Sequence, residues 1–249
     1  MIFLRSLVFQ CLFYLWTALC AILGLPFMLG SRLGMMRFGT GWSRVALALL
    51  RMSTGLDHEI RGREHLPAGP ALIAMKHQSA WDTFAVPVLF PCPAMVIKRE
   101  LGWVPFYGWY ALKAGMIPVD RSGGAKALMR MVAACKAAVA QNRPIVIFPE
   151  GTRSAVGAQV RYQSGVAALY SALDVPLVPV AVNSGLFWGR RAFRKRPGRI
   201  VVEILPPIAP GGERRATLAE LEARIEGATA RLVAEAEEPA NTVRPQQRG

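Results

Sequence analysis

Between Arg5 and Arg32 the chain carries no charged residue, and the stretch is rich in Leu, Phe, Ile, Trp and Tyr. Such a run has to be withdrawn from water, into a core or into lipid, and a bilayer-crossing helix takes about 20 apolar residues. Residues 2–29 meet that length. They outrun the roughly 7–15-residue apolar stretch of a secretory signal and continue into a second apolar segment, so cleavage is not expected. Gly24, Pro26 and Gly30 interrupt the run. The next segment, Met35 to Met52, sets Val45, Leu47, Leu49 and Leu50 among Arg37, Arg44 and Arg51, as helices at a membrane interface do. Two helices joined near residues 30–34 and dipped into one leaflet are the favoured arrangement. A single span with the basic residues on the cytoplasmic side is the alternative.

Charge sharpens the picture. The first acidic residue is Asp57, and only arginines precede it: Arg5, Arg32, Arg37, Arg44 and Arg51. Over 249 residues the formal net charge is +14, yet 53% of the residues are hydrophobic. That combination fits an anionic partner, either nucleic acid or the phospholipid surface. A second basic cluster, Arg190, Arg191, Arg194, Lys195, Arg196 and Arg199, lies near Trp188 and Phe193, an arrangement that suits base stacking. Beside the apolar N-terminus it is better read as a headgroup-binding loop on an anionic membrane, and no nucleic acid is expected. Cys11, Cys20, Cys92 and Cys135 lack metal-ligand or redox spacing and read as small hydrophobes in a reducing compartment.

From Asp57 onward, short apolar runs alternate with helical segments. Residues 71–75, 94–97, 116–119, 145–148, 177–182 and 200–205 read as strands, most of them buried. Residues 125–141 and 163–173 read as helices, and Thr217-x-x-Glu220 reads as the capping box of a last helix. The alternation predicts an α/β fold with a mixed, largely parallel sheet flanked by helices. The expected organisation is an N-terminal membrane-inserted helical segment over residues 1–52, a catalytic domain over 53–236 and a disordered tail over 237–249.

The chemistry concentrates at His77 and Asp82, in Lys76-His77-Gln78-Ser79-Ala80-Trp81-Asp82. A histidine moves protons near neutral pH, and a carboxylate on its second ring nitrogen fixes the tautomer and stabilises the imidazolium. A substrate hydroxyl would then serve as nucleophile, losing its proton to His77 as it attacks a thioester. The competing reading puts Asp82 in the first turn of a helix, where negative charge is favourable anyway.

Four blocks in order carry a resemblance to the 1-acylglycerol-3-phosphate (lysophosphatidic acid) acyltransferase family of glycerolipid acyltransferases. They are Lys76 to Asp82, where the family often has Asn in place of Lys76, and Ile97-Lys98-Arg99-Glu100-Leu101 with Pro105-Phe106-Tyr107-Gly108 and Val119-Asp120-Arg121. Phe148-Pro149-Glu150-Gly151-Thr152-Arg153 and Val175 to Ala181 follow. The resemblance spans roughly residues 57–205. It implies the glycerolipid acyltransferase fold, His77 as general base and Asp82 as its orienter. It also implies an acyl-CoA or acyl-carrier-protein donor, no cofactor beyond that co-substrate, and a lysophospholipid acceptor. For bacterial members it implies the two-helix anchor and the cytoplasmic face of the membrane.

Lys98, Gly151, Thr152 and Arg153 carry over from the family as acceptor-binding residues. Arg suits bidentate phosphate contact, Lys supplies a point charge, and the glycine allows close backbone approach. Arg99, Arg121 and Glu150 are further candidates, Glu150 more as an orienter of a neighbouring donor, since two anions repel. His58, His65 and His77 show no paired ligand spacing, so no metal is expected. His65, in a loop where the family usually has Asn, is assigned a structural role. Lyso-ornithine-lipid and other lysolipid acyltransferases resemble the same motifs. The reading from another class is a non-enzymatic basic membrane- or RNA-binding protein.

Overall fold

A computed structural model describes residues 1–238; the tail expected over 237–249 lies, from residue 239 on, outside them. Three helices open the chain: α1 (Ile2–Leu23), α2 (Leu25–Leu29) and α3 (Arg32–Thr54). After them come β1 (Leu56–Arg61), β2 (Leu72–Met75), α4 (Ala80–Leu89), β3 (Ala94–Lys98), α5 (Tyr107–Lys113), β4 (Ile117–Val119) and α6 (Gly124–Val139). The chain closes with β5 (Ile145–Ile147), α7 (Ser164–Leu173), β6 (Leu177–Val182), α8 (Ser184–Phe187), β7 (Gly198–Ile204) and α9 (Arg214–Glu237).

The strands form one sheet in the order β1-β7-β6-β2-β5-β3-β4. Strands β2 to β6 run parallel, β7 is antiparallel to β6, and β1 runs parallel to β7. This is the mixed, largely parallel sheet expected. Alternation along each strand divides the core: Ile73 and Met75 face a cluster with Trp81, Phe84 and Leu50, while Leu72 and Ala74 face Cys135, Leu169 and Leu221. Helices α3 and α4 therefore cover one face, and α6, α7 and α9 the other. Burial on both faces explains why these strands read as unbroken apolar runs.

Strand β1 escaped the sequence reading because Asp57, His58, Glu59 and Arg61 are polar. It sits at the sheet edge, where one flank needs no apolar partner. The last helix also begins earlier than Thr217. The Glu213 carboxylate accepts from the amides of Arg215 and Ala216, leaving Thr217 buried inside the helix. A carboxylate fills the capping role assigned to a threonine hydroxyl.

Helices α1 and α3 lie against each other and share the main core, into which α1 sends the fully buried Phe9. Both ends of α1 rest on the sheet domain. At the start, Phe3 packs on Phe193 at 5.2 Å and the Lys195 amide donates to Ser6 Oγ at 2.9 Å. At the end, the Tyr110 hydroxyl donates to the Ala21 carbonyl. The helix thus lies along the domain instead of projecting from it, with most of its outward side chains bare.

Lys195 departs from the basic cluster in which the sequence placed it. Arg190, Arg191, Arg194, Arg196 and Arg199 are exposed, but Lys195 is buried. Its ammonium sits 4.7 Å from the Trp188 ring, 5.1 Å from Phe193 and 5.3 Å from Phe9. It donates to Gln10 Oε1 and to the Phe193 carbonyl, each at 2.8 Å. The aromatic residues weighed as a base-stacking pair form the walls of a cation cage. Burial without a carboxylate pushes this amine down to about 8, against 10.5 for an ordinary lysine. Below both values the full cost of burying the charge stands. Between them the amine is neutral in the folded chain while the unfolded chain still binds its proton, so stability rises with pH. The stabilities of wild type and Lys195→Met should therefore change relative to each other over that window, wild type gaining on the order of 3 kcal/mol against the variant. A difference that stays flat with pH contradicts the cage's energetics.

Candidate active site

The parallel strands deliver their carboxyl ends to one edge of the sheet, the place where open α/β sheets bind ligands. His77 follows β2, Lys98 ends β3, Arg121 follows β4, the Phe148 loop follows β5 and Ser184 follows β6. Blocks far apart in sequence meet for that reason.

Helix α4 begins at this edge with Ser79 as N-cap, whose hydroxyl accepts from the Trp81 amide at 3.2 Å. Asp82, three residues on, closes the capping box. Its Oδ2 accepts from the amides of Gln78 at 2.7 Å and Ser79 at 2.8 Å. The same oxygen receives the His77 Nδ1–H at 3.0 Å, and Oδ1 accepts from Ser184 Oγ at 2.6 Å. Asp82 has no exposed surface. The helix-capping and histidine-orienting readings are thus both true of one carboxylate. With Nδ1 as donor, Nε2 carries the lone pair, and it has no hydrogen-bond partner among the described residues. The His77 side chain keeps 11% of its surface open.

The loop after β5 holds the histidine's main chain from the other side. Glu150 Oε2 accepts from the His77 amide at 2.7 Å, and the Ser154 amide donates to the His77 carbonyl at 2.8 Å. The Phe148 ring stacks on the imidazole at 4.0 Å and 17°. Sequence reasoning missed Ser154, Phe148 and Ser184. Two of them flank or lie in recognised blocks, but no spacing rule shows that β5 and β6 bring them to His77.

Glu150, named as a further acceptor-binding candidate, is buried and fully engaged, so it holds the site together instead of facing a ligand. Its Oε1 takes Ser154 Oγ at 2.6 Å and the Lys76 ammonium at 2.6 Å. Lys76 is itself buried, and its Nζ also meets Glu226 of α9 at 2.7 and 2.9 Å. Tyr162 donates its hydroxyl to Glu226 Oε1 at 2.8 Å. The phenol is pushed well up by burial and then by the adjacent carboxylate.

The cations assigned to the acceptor lie around this core. Lys98 is half exposed, with Glu100 at 3.7 Å. Arg153 forms no ion pair among the described residues and is half-buried; Thr152 is exposed. Arg121 donates to the Gly151 carbonyl, drawing the β4 and β5 loops together. Gly151 has φ +69°, a conformation that an L side chain rarely adopts. Arg99 is tied to Asp120 at 2.8 Å and lies over the Trp103 ring at 5.2 Å. No hydrogen bond or ion pair among the described residues joins Lys98 or Arg153 to His77. His65 donates from Nδ1 to the Ile204 carbonyl at 2.8 Å, outside the site.

The Acyltransferase family profile matches residues 57–183, just over half of the chain. The 1-acyl-sn-glycerol-3-phosphate acyltransferase of Pseudomonas aeruginosa is 37% identical over 194 residues, covering 78% of this chain and 76% of that protein. The chain belongs to the 1-acylglycerol-3-phosphate acyltransferase family. The human relative named 1-acyl-sn-glycerol-3-phosphate acyltransferase alpha is 30% identical over 172 residues, 68% of this chain and 61% of its own length. Among solved structures, the 1-acyl-sn-glycerophosphate acyltransferase PlsC of Thermotoga maritima superposes with a TM-score of 0.78, over 94% of this chain and 98% of that one. At 19% identity it establishes the fold of this acyltransferase. The profile ends at residue 183, so Glu226 lies beyond the matched region of the family.

Removing Lys76 strands Glu150 as a buried charge, the costly way to break an ion pair. In this acyltransferase Lys76→Met should lower stability by about 3–5 kcal/mol. Glu226→Gln should cost less, because Glu226 keeps 35% of its side-chain surface in water. Thermal or denaturant unfolding of both variants checks the order, and equal losses contradict it.

Proposed function

We propose that the enzyme transfers a fatty acyl group from acyl-CoA or acyl-carrier protein to the sn-2 hydroxyl of a 1-acylglycerol-3-phosphate, giving phosphatidic acid for phospholipid synthesis. The observation that carries this reading is His77, whose Nδ1–H is fixed on a sealed carboxylate while Nε2 stays free beside a cation-lined edge. Nε2 takes the acceptor's hydroxyl proton as its oxygen bonds to the thioester carbonyl carbon. The tetrahedral intermediate collapses with loss of the C–S bond, and the imidazolium returns its proton to the departing thiolate. Asp82 stabilises the imidazolium between those two steps. The scheme needs no cofactor beyond the acyl thioester.

Arg153 and Lys98 are proposed to hold the acceptor's phosphate, helped by Thr152 and by the open backbone at Gly151. Arg121 and Arg99, each already engaged, shape the loops that present them. The donor is assigned only as an acyl thioester of CoA or carrier protein.

The proposed location is the cytoplasmic face of a membrane. Helix α1 is long and apolar enough to cross a bilayer, yet both of its ends rest on the domain. That supports an in-plane seat in one leaflet over a span. The exposed arginines of the 190–199 loop add attraction to anionic lipid, about 1 kcal/mol per cation near the surface.

An assay of purified enzyme against lysophosphatidic acid, lyso-ornithine lipid and other lysolipids, with both donor types, tests the reading. His77→Ala should abolish transfer with the fold retained, and Asp82→Asn should lower kcat far more than it raises acceptor KM. Near-wild-type activity in His77→Ala overturns the mechanism. Arg153→Ala and Lys98→Ala should raise KM for phosphate-bearing acceptors but not for an analogue without the phosphate. Equal losses on both acceptors make these cations structural.

A further inference from the structure

Helix α5 and the 3-10 turn before it, Arg99–Trp103, show apolar side chains to solvent in a way that the catalytic site does not explain. Trp103 is 66% exposed and Trp109 46%, and Leu101, Val104, Tyr107 and Leu112 are exposed with them. Exposed apolar patches of this extent mark interaction surfaces. The elbow is rigidly built. Gly108 packs so tightly against the Gly102 carbonyl that a Cβ would stand 2.2 Å from its oxygen. Phe106 is held at φ +62°, in a region that L residues rarely occupy. Strain of this kind persists where surrounding structure enforces it, commonly at functional places. Within the elbow the Phe106 ring packs on Trp109 at 5.3 Å.

The patch continues onto the apolar N-terminal helices. Tyr110 joins the elbow to Ala21, and Gly24 packs on the Tyr110 ring. Phe27, stacked on Phe38, lies in the same aromatic group as Tyr110. Around that junction Ile22, Leu23, Leu25, Leu29 and Leu33 are exposed. Cations border the elbow: Lys98, and Arg99 with its guanidinium over Trp103. Tryptophan and tyrosine edged by Lys and Arg are the side chains that settle at headgroup depth.

We propose that residues 98–113 form a second lipid-docking surface, which sits in the headgroup region of the same leaflet as α1 and α2. The N-terminal helices hold the enzyme on the bilayer, and the elbow sets its tilt. It brings the carboxyl end of β3, with Lys98, to the depth of a lysophospholipid phosphate, so that the acceptor is taken from within the leaflet. This rests on the acyltransferase reading above, and the occupant is a phospholipid bilayer.

The test uses the full-length enzyme and vesicles of anionic phospholipid brominated on the acyl chains near the glycerol. Subtracting the emission of Trp103→Phe/Trp109→Phe from that of wild type isolates these two indoles. Their emission should shift to the blue and be quenched on binding. Emission that stays unquenched while the protein floats with the vesicles overturns the proposal, as does burial of the two indoles in a stable dimer without lipid. A second pair, Val104→Ser/Trp109→Ser, leaves the Arg99–Trp103 contact in place. It should raise KM for bilayer-embedded acceptor about tenfold, equivalent to roughly 1.4 kcal/mol, with turnover of a dispersed short-chain acceptor unchanged. Equal effects on both acceptors also overturn it. Failure of wild type to acylate any lysolipid strikes the functional reading instead, since the quenching measurement does not depend on turnover.

Discussion

The Asp82 carboxylate, sealed from water and surrounded by four donors, is the interaction on which the site depends. Three of those donors belong to the segment that opens α4: two backbone amides and the His77 ring. The N-terminus of a helix favours a negative charge, and a capping box turns its third residue back over the cap. From that position the carboxylate also reaches the ring two residues before Ser79. The four-residue spacing between His77 and Asp82 is the length of that return. The cap and the His77–Asp82 pair cannot be separated, which makes the imidazole's orientation as firm as the helix start itself.

The loop after β5 supplies the complementary grip. Glu150 and Ser154 hold the amide and carbonyl of His77, and Phe148 covers one face of its ring. A buried carboxylate in that role needs a counter-charge, which Lys76 provides, and Lys76 is shared with Glu226 on α9. The last helix thereby touches the loop that holds His77 through a chain of ion pairs. Its charged members also explain how a residue so close to the site can be a buried lysine without destabilising its neighbours.

Much of this was legible in the chain. The doubly buried strands gave unbroken apolar runs, and the pairing of His77 with Asp82 drew its weight from the four ordered blocks of the family resemblance, since the spacing alone also fits a helix cap. What escaped notice depended on pairings across the sheet. Strand β1 is polar because it is an edge, and its register against β7 lies in no local pattern. Glu150 reads as an orienter of a neighbouring donor, but nothing near it in sequence reveals that Lys76 and the His77 amide are the donors that consume its oxygens. Lys195 looked like one more cation in a basic run, until α1 and the Trp188 loop folded around it. In each case the missing information was which distant side chain would arrive.

Imidazole tautomers distinguish this account from its alternatives most directly. The chain has three histidines, so nitrogen-15 labelling of the ring with His77→Ala as the assignment control resolves His77 alone. The arrangement predicts that neutral His77 carries its proton on Nδ1, with Nε2 showing the shift of an unprotonated ring nitrogen. A proton on Nε2 would mean that Asp82 does not orient the base, and the proposed mechanism would not stand.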